Sequence, residues 1–315
     1  MNKKTKELDQ FFTNPIVSDF LVEKIIGMFP SVRDSEIIES SVGSGNFVDS
    51  LIKYKLKMSQ IKAYDIDLSN YPHDNGVECD YLQVKLKYKK NRFVIGNPPF
   101  GYRGKLALDF LNKALTESDV VCFILPKIFS RYSMQKHVEP NAKLVYESVL
   151  SDDSFLVENR KYNVNCIFQI WVNKRKEIYI DDKRLKLPKS IKTDDFETFI
   201  HNNTRSTLKY FDKSKYNWDF AIHRQGFYDY NEKIFDQNKL HKNRQYVFVK
   251  LKNNTARKVF ELIDFESLSR GNTTVRGFSL TDLVEEYNKQ KYFLENSDEI
   301  RKYFDKLVIN IEKIF

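Results

Sequence analysis

Residues 119–126, "DVVCFILP", are apolar without alternation. A strand with one wet face alternates apolar and polar side chains, whereas a continuous run of strand length is buried on both faces. Both faces are covered when helices lie above and below a mostly parallel sheet. The surrounding pattern supplies those helices. Residues 16–29 place Ile16, Phe20, Leu21, Ile25 and Met28 at helical spacing. "EIIES" reads as a strand running into the small-residue turn "SVGSGNF", with the helix "FVDSLIKYKL" after it. "IKAYDIDLS", "VECDYLQ" and "NRFVIGNPPF" read as further strands. "KLALDFLNKALTES" is a helix with Leu106, Phe110, Leu111 and Leu115 along one side. "AKLVYESVL" and "VNCIFQIWV" add two more strands. Alternating strands and helices over residues 30–175 predict a doubly wound α/β sheet.

In such a sheet ligands bind beyond the carboxyl ends of the strands. The chemically informative segments, "SVGSGNF", "YDIDL", "CDYL" and "NPPF", all fall at such ends. After about residue 175 the charged, turn-rich "KRKEIYIDDKRLKLPKS" predicts a boundary. The expected division is 1–175 and 176–315, the second part a smaller α+β domain. No internal repeat or low-complexity tract is visible.

The 315 residues carry 52 Lys and Arg against 43 Asp and Glu, a net charge of +9, which favours an anionic partner. Cys79, Cys122 and Cys166 are widely spaced and form no CxxC pair, so neither a disulfide framework nor a structural zinc site is expected. "MNKKTKELDQ" lacks the apolar core of an export signal and no run of 18 apolar residues occurs, so no membrane is expected and a cytoplasmic location is.

Gly43 and Gly45 allow backbone to approach a ligand closely, and their pattern departs from GxGxxG because no third glycine follows at the required offset. A ligand without a pyrophosphate is therefore favoured. Asp65 and Asp67 end the next strand, where a carboxylate can accept from ribose hydroxyls. Asp80 could accept from an adenine amine, with Tyr81 or Leu82 over the ring. Each strand-end acid could also be a turn or helix cap.

At "NPPF" two prolines stop the strand and stiffen the loop. The lone pair of an aromatic amine is delocalised into its ring. Accepting the amine's two hydrogens, on the Asn97 side chain and the Pro98 carbonyl, would free that lone pair for attack on an electrophilic methyl. Pro99 completes the rigid turn and Phe100 can stack on a base. The bland alternative is an ordinary Asn-Pro turn.

These residues, in this order, resemble the S-adenosylmethionine-dependent adenine-N6 DNA methyltransferases that place the cofactor site first, then the catalytic loop, then a target recognition domain. "LDQFFTNP" resembles that family's aromatic-x-Thr-Pro motif, with Asn14 inserted before Pro15. "ESSVGSGNF" resembles Glu-Pro-x-x-Gly-x-Gly-x-Phe, with Ser40 in place of proline. The resemblance covers about residues 8–172. It implies a Rossmann-like, mostly parallel seven-stranded sheet and S-adenosylmethionine as cofactor, with no metal. Cofactor contacts would come from Phe11, Thr13, Glu39, Gly43, Gly45, Asp65, Ile66, Asp80 and Tyr81. It also implies a target adenine flipped out of double-stranded DNA into the pocket. Tyr162 is the first candidate for packing its far face and Phe168 the second, although either could be an ordinary core aromatic.

Seven basic residues and no acid lie between Lys85 and Lys105. Arg103 and Lys105, close to Phe100, are phosphate candidates, whereas Lys85 to Lys90 suit an exposed edge or turn. In "RGNTTVRGF", Arg270 and Arg276 could read guanine and Asn272 adenine, or the segment could be a surface hairpin. "AIHRQGF" is another reading candidate. The expected setting is a monomer or weak dimer acting apart from any cognate restriction endonuclease, or a solitary or phage-borne enzyme. RNA adenine methylation, protein glutamine methylation and a catalytically dead binding protein are the competing readings.

Overall fold

The computed structural model describes residues 12–151, 154–157, 160–162, 164–176, 179–187, 191–270 and 275–297. It divides into two compact units at residues 188/189.

The first unit is built on seven strands: β2 (Glu36–Glu39), β3 (Ile61–Asp65), β4 (Gly76–Glu78), β5 (Arg92–Gly96), β6 (Val120–Pro126), β7 (Ala142–Val149) and β10 (Cys166–Asn173). Their order is β4-β3-β2-β5-β6-β10-β7. The first five are parallel, and β10 runs antiparallel to both β6 and β7. This is the expected doubly wound, mostly parallel seven-stranded sheet. Every residue of β6 is buried, and each fully buried Val, Leu, Ile or Phe is worth about 1.5–3 kcal/mol over exposure. The helices are α1 (Pro15–Met28), α2 (Asn46–Lys53), α3 (Lys105–Glu117) and a short α4 (Tyr132–Gln135). From β2 the chain moves outward to β3 and β4, then returns to β5 on the other side. The order therefore reverses between β2 and β5, where doubly wound sheets hold their ligands.

A smaller antiparallel sheet joins β1 (Phe12–Thr13), β8 (Phe155–Val157) and β9 (Arg160–Tyr162). Thr13 pairs with Phe155, and Phe155 with Tyr162. Asn14, the residue that departs from the family motif, is the N-cap of α1, its side chain accepting from the Ile16 N–H at 3.0 Å. Helix α1 buries Ser18, Leu21, Val22 and Ile25. Ile16 and Phe20, expected on its apolar face, are 76% and 58% exposed.

The first unit extends past the expected boundary at residue 175. The Arg184 guanidinium donates to the carbonyls of Gln135 (2.8 Å), Val138 (2.6 Å) and Glu139 (2.9 Å). Leu185 N–H donates to Gln135 Oε1 and Lys183 N–H to the Leu144 carbonyl. One side chain thus supplies donors to the turn before β7, and the charged stretch expected to hold the boundary packs on the sheet.

The second unit has a three-stranded antiparallel sheet, β11 (Phe196–His201), β12 (Phe220–Gln225) and β13 (Gln245–Leu251), in the order β11-β13-β12. Helices α6 (Asn254–Leu262), α7 (Phe265–Ser269) and α8 (Leu280–Glu295) follow a short α5 (Lys213–Tyr216). Phe196, Phe220, Val247, Val249, Phe260 and Tyr287 form one core cluster. Trp218, Tyr246 and Phe248 form another with Phe199, Tyr210 and Phe211. Strand β13 feeds both, as alternation requires. This is the expected smaller α+β domain. Among the described residues no helix is long and apolar enough to cross a membrane.

Candidate active site

A small cavity opens at the carboxyl end of the first sheet. It is lined by Phe12, Thr13, Ser41, Val42, Gly43, Ser44, Asn46, Phe47 and Asn97. The turn from β2 to α2 forms one wall and is tied down at several points. Val42 N–H donates to the Tyr64 carbonyl at 3.0 Å and Gly45 N–H to the Val42 carbonyl at 2.8 Å. Gly43 N–H donates to Asp65 Oδ2 at 2.8 Å, and Asp67 N–H to Asp65 Oδ1 at 3.1 Å. Asp65 therefore pins the glycine turn to the end of β3. Burial pushes its carboxyl above the ordinary carboxylate range.

Strand β1 forms the opposite wall. Asn46 Nδ2 donates to the Thr13 carbonyl at 2.6 Å and to Ser44 Oγ at 3.0 Å, linking strand and turn. The Phe12 ring lies against Gly43, where a side-chain carbon would meet it at 3.2 Å. Sequence reasoning chose Phe11, which lies outside the described residues, and missed both Phe12 and Asn46. The doubled phenylalanine and the residue between Gly45 and Phe47 were the available signals.

Glu39, at the end of β2, is 1% exposed. Its Oε1 accepts from Ser41 N–H at 3.3 Å, while Oε2 is buried without a hydrogen-bond partner. Burial, and then the Asp65 carboxylate, push the Glu39 carboxyl well above its ordinary 4.5. Ser40 Oγ and Ser41 Oγ are likewise buried without partners. Of these, Ser41 lines the cavity and Glu39 and Ser40 lie just behind it in sequence, and orphaned acceptors and hydroxyls suit a ligand carrying donors and positive charge. S-adenosylmethionine, with its ammonium and sulfonium, has that chemistry.

Strand β5 delivers Gly96 and Asn97 beside Glu39. A Cβ on Gly96 would stand 2.0 Å from Glu39 Oε1, so the carboxylate occupies the space a side chain would need. Asn97 is half-buried with its amide oxygen buried at the cavity. Pro98 is buried beside it and Pro99 half-buried. The turn after β2 and the Asn97 loop thus share one cavity.

Several expected residues are placed differently. Ile66 is 54% exposed at the end of β3, leaving apolar surface for a ring. Asp80 is exposed and caps the following turn, Oδ1 accepting from Leu82 N–H at 2.9 Å. Tyr81, expected over the cofactor ring, is instead 1% exposed. Its hydroxyl donates to Glu117 Oε2 at 2.9 Å and its ring packs on Phe110 and Tyr64. Phe100 is 7% exposed and belongs to the main core, so stacking on a base requires its ring to turn out. Phe168 is fully buried, edge-on to Tyr146, and is a core residue. Tyr162 stands in register with Phe155 and Thr13. Arg103 is exposed, its backbone in the left-handed region (φ 54°) and its guanidinium 5.0 Å from the Tyr102 ring. Lys105 pairs with Asp109 at 2.9 Å. In the second unit Arg270 and Arg276 both reach Glu266. Asn272 lies outside the described residues.

No protein-family model matches the chain. It is 29% identical over 119 residues to the type II methyltransferase M.HincII of Haemophilus influenzae, covering 37% of this chain and 22% of that protein. M.HindII of the same species matches at 29% over 119 residues, covering 21% of its length. The match thus spans about a fifth of those relatives. Protein 1320 of Thermoplasma acidophilum superposes with a TM-score of 0.40 at 17% identity, covering 51% of this chain and 87% of that one. The magnesium protoporphyrin IX methyltransferase of Synechocystis PCC 6803, solved with bound S-adenosylmethionine, gives 0.37 at 10% identity, covering 50% and 79%. Similarity at that level assigns no substrate. S-adenosylmethionine is the cofactor that the motif order and the methyltransferase relatives indicate.

Proposed function

We propose that the protein transfers a methyl group from S-adenosylmethionine to the N6 amine of adenine in a specific double-stranded DNA sequence. The observation that carries this reading is the shared cavity: Asn97 lines the same space as Phe12, Thr13 and the Gly43 turn. Glu39, Ser40 and Ser41 would hold the amino-acid part of the cofactor, and Asp65, Ile66 and Asp80 its nucleoside. Bound there, the cofactor supplies an electrophilic methyl on a sulfonium. The chain's own part is to hold the amine. Asn97 and the Pro98 carbonyl accept its two hydrogens, which draws the nitrogen lone pair out of the ring. The prolines fix that geometry before the base arrives. Tyr162, on the strand that pairs toward Thr13, packs the flipped base. Arg103 and Lys105 contact its flanking phosphates, and Arg270 and Arg276 contact the duplex. Modification paired with a separate endonuclease is the setting we favour, because the relatives matched are type II methyltransferases.

The test offers labelled S-adenosylmethionine with DNA, RNA and protein in separate reactions, followed by nucleoside analysis. N6-methyladenine in DNA is expected. Label in RNA alone, or in protein alone, overturns the assignment. Asn97→Ala should abolish transfer and leave cofactor affinity within a few-fold of wild type, whereas unchanged turnover removes Asn97 from this role.

A further inference from the structure

Two segments that the sequence marks as reading candidates are far apart in the chain and joined in the second unit. Gly226 N–H donates to the Arg276 carbonyl at 3.0 Å, and Phe278 N–H to the Arg224 carbonyl at 3.2 Å. Gln225 and Gly277 form an antiparallel bridge between them. The Tyr230 hydroxyl lies 2.8 Å from the Gly226 carbonyl and 2.9 Å from the Arg276 carbonyl, under both loops.

Phe227 stands at the tip of this joined pair, 77% exposed. Its base is rigid. Tyr228 stacks on His223 with ring centres 4.2 Å apart and planes at 18°, and the Arg244 guanidinium lies 4.9 Å from the Tyr228 ring. His223 is 2% exposed and its Nδ1 is buried without a partner. Gly226 has φ of 125°, and a Cβ there would meet the Tyr228 ring at 2.4 Å, so only glycine lets the chain turn outward at Phe227. Arg244, Arg270 and Arg276 supply cations near this tip, and Glu266 is the acid that the last two reach. Arg276 bonds Glu266, and Arg270 stands 3.8 Å from the same carboxylate.

We infer that the joined loops 224–228 and 275–277 are a duplex-DNA contact tip. Phe227 acts as an aromatic wedge stacking on bases, and Arg270 and Arg276 grip the flanking backbone. The inference rests on the proposed DNA reading and adds the contact surface to it. A large ring on a preorganised turn loses little entropy on binding, and cations beside it meet phosphates. An acidic or apolar protein surface would not use a ring and guanidinium groups in this alternation as well as stacked bases between phosphates do.

The experiment measures binding of mixed-sequence duplex DNA by fluorescence anisotropy, beside methyl transfer by the same preparations. Phe227→Ala should weaken binding about tenfold, the size of one lost base stack, with an unchanged melting temperature because the ring is exposed. Phe227→Trp should keep the affinity, and its emission should be quenched when DNA is added. The native Trp171 and Trp218 are 0% and 1% exposed and leave that signal to the substituted position. Arg276→Gln should lower affinity and reduce the salt slope by about one. Unchanged affinity in Phe227→Ala, no quenching in Phe227→Trp, or tighter binding of duplex RNA than of DNA overturns the inference. If wild type methylates no DNA yet Phe227→Ala loses binding, the tip stands and the proposed chemistry falls. If wild type methylates DNA and Phe227→Ala binds normally, the chemistry stands and the tip falls.

Discussion

Glu39 and Gly96 fill one space: the carboxylate of the first lies where a side chain of the second would be, 2.0 Å from the position of a Cβ. The two residues end neighbouring strands at the reversal of the sheet, so the Gly43 turn and the Asn97 loop are packed through this contact. Gly96→Ala should destabilise the first unit by about 2–3 kcal/mol, as overpacked cores do. Adding Glu39→Ser should recover part of that loss, with a coupling of about 1–3 kcal/mol in a double-mutant cycle. Denaturant melts of the four proteins measure it, and strictly additive effects would refute the contact.

Proton-coupled cofactor binding follows from the buried Glu39. Burial raises its carboxyl well above 4.5, so it keeps its proton to higher pH than an exposed glutamic acid does. Stability from this group is full below pH 4.5 and is lost as pH rises through the raised value. A cationic ligand favours the ionised form, so its binding releases a proton and its affinity rises with pH over that window. Titration calorimetry in buffers of different ionisation enthalpy detects the released proton. Glu39→Gln should bind more weakly and show no such release.

Asp195 fastens α8 to the second sheet. It accepts from Lys291 Nζ at 2.7 Å, the Tyr287 hydroxyl at 2.8 Å and Asn253 Nδ2 at 2.8 Å. The Lys291 bond leads in holding its carboxyl below the ordinary 3.8. A depressed carboxylate contributes stability above pH 3.8 that disappears as pH falls through the lowered value. Asp195→Ala should cost about 2 kcal/mol at neutral pH, because it leaves a lysine and a tyrosine without their acceptor. The difference from wild type should vanish in acid melts.

The strand ends were legible because their signals are local. A continuous apolar run, a glycine turn and a proline stop each act within a few residues, so the Gly43 turn and the strand ends at Asp65 and Asn97 could be placed from sequence. Tyr81 was misplaced because its environment is remote. Its hydroxyl partner, Glu117, is on α3, and nothing near "CDYL" announces it. Ile16 and Phe20 fit helical spacing, yet periodicity gives a face and not which face meets the sheet. The pairing of Gln225 with Gly277 joins segments with no shared local pattern. Asn14 shows the reverse case, in which a departure from a motif has a local reason, the capping of α1.

The charged stretch expected to hold the boundary also governs how such a chain could be cut and rejoined. A break after β10 would remove Arg184 and strip donors from three carbonyls of the turn leading into β7. A break at 188/189 would keep that rivet with the sheet it serves. Recombination that swaps one second unit for another would therefore yield folded progeny when the crossover lies beyond Arg184, and damaged first units when it lies before.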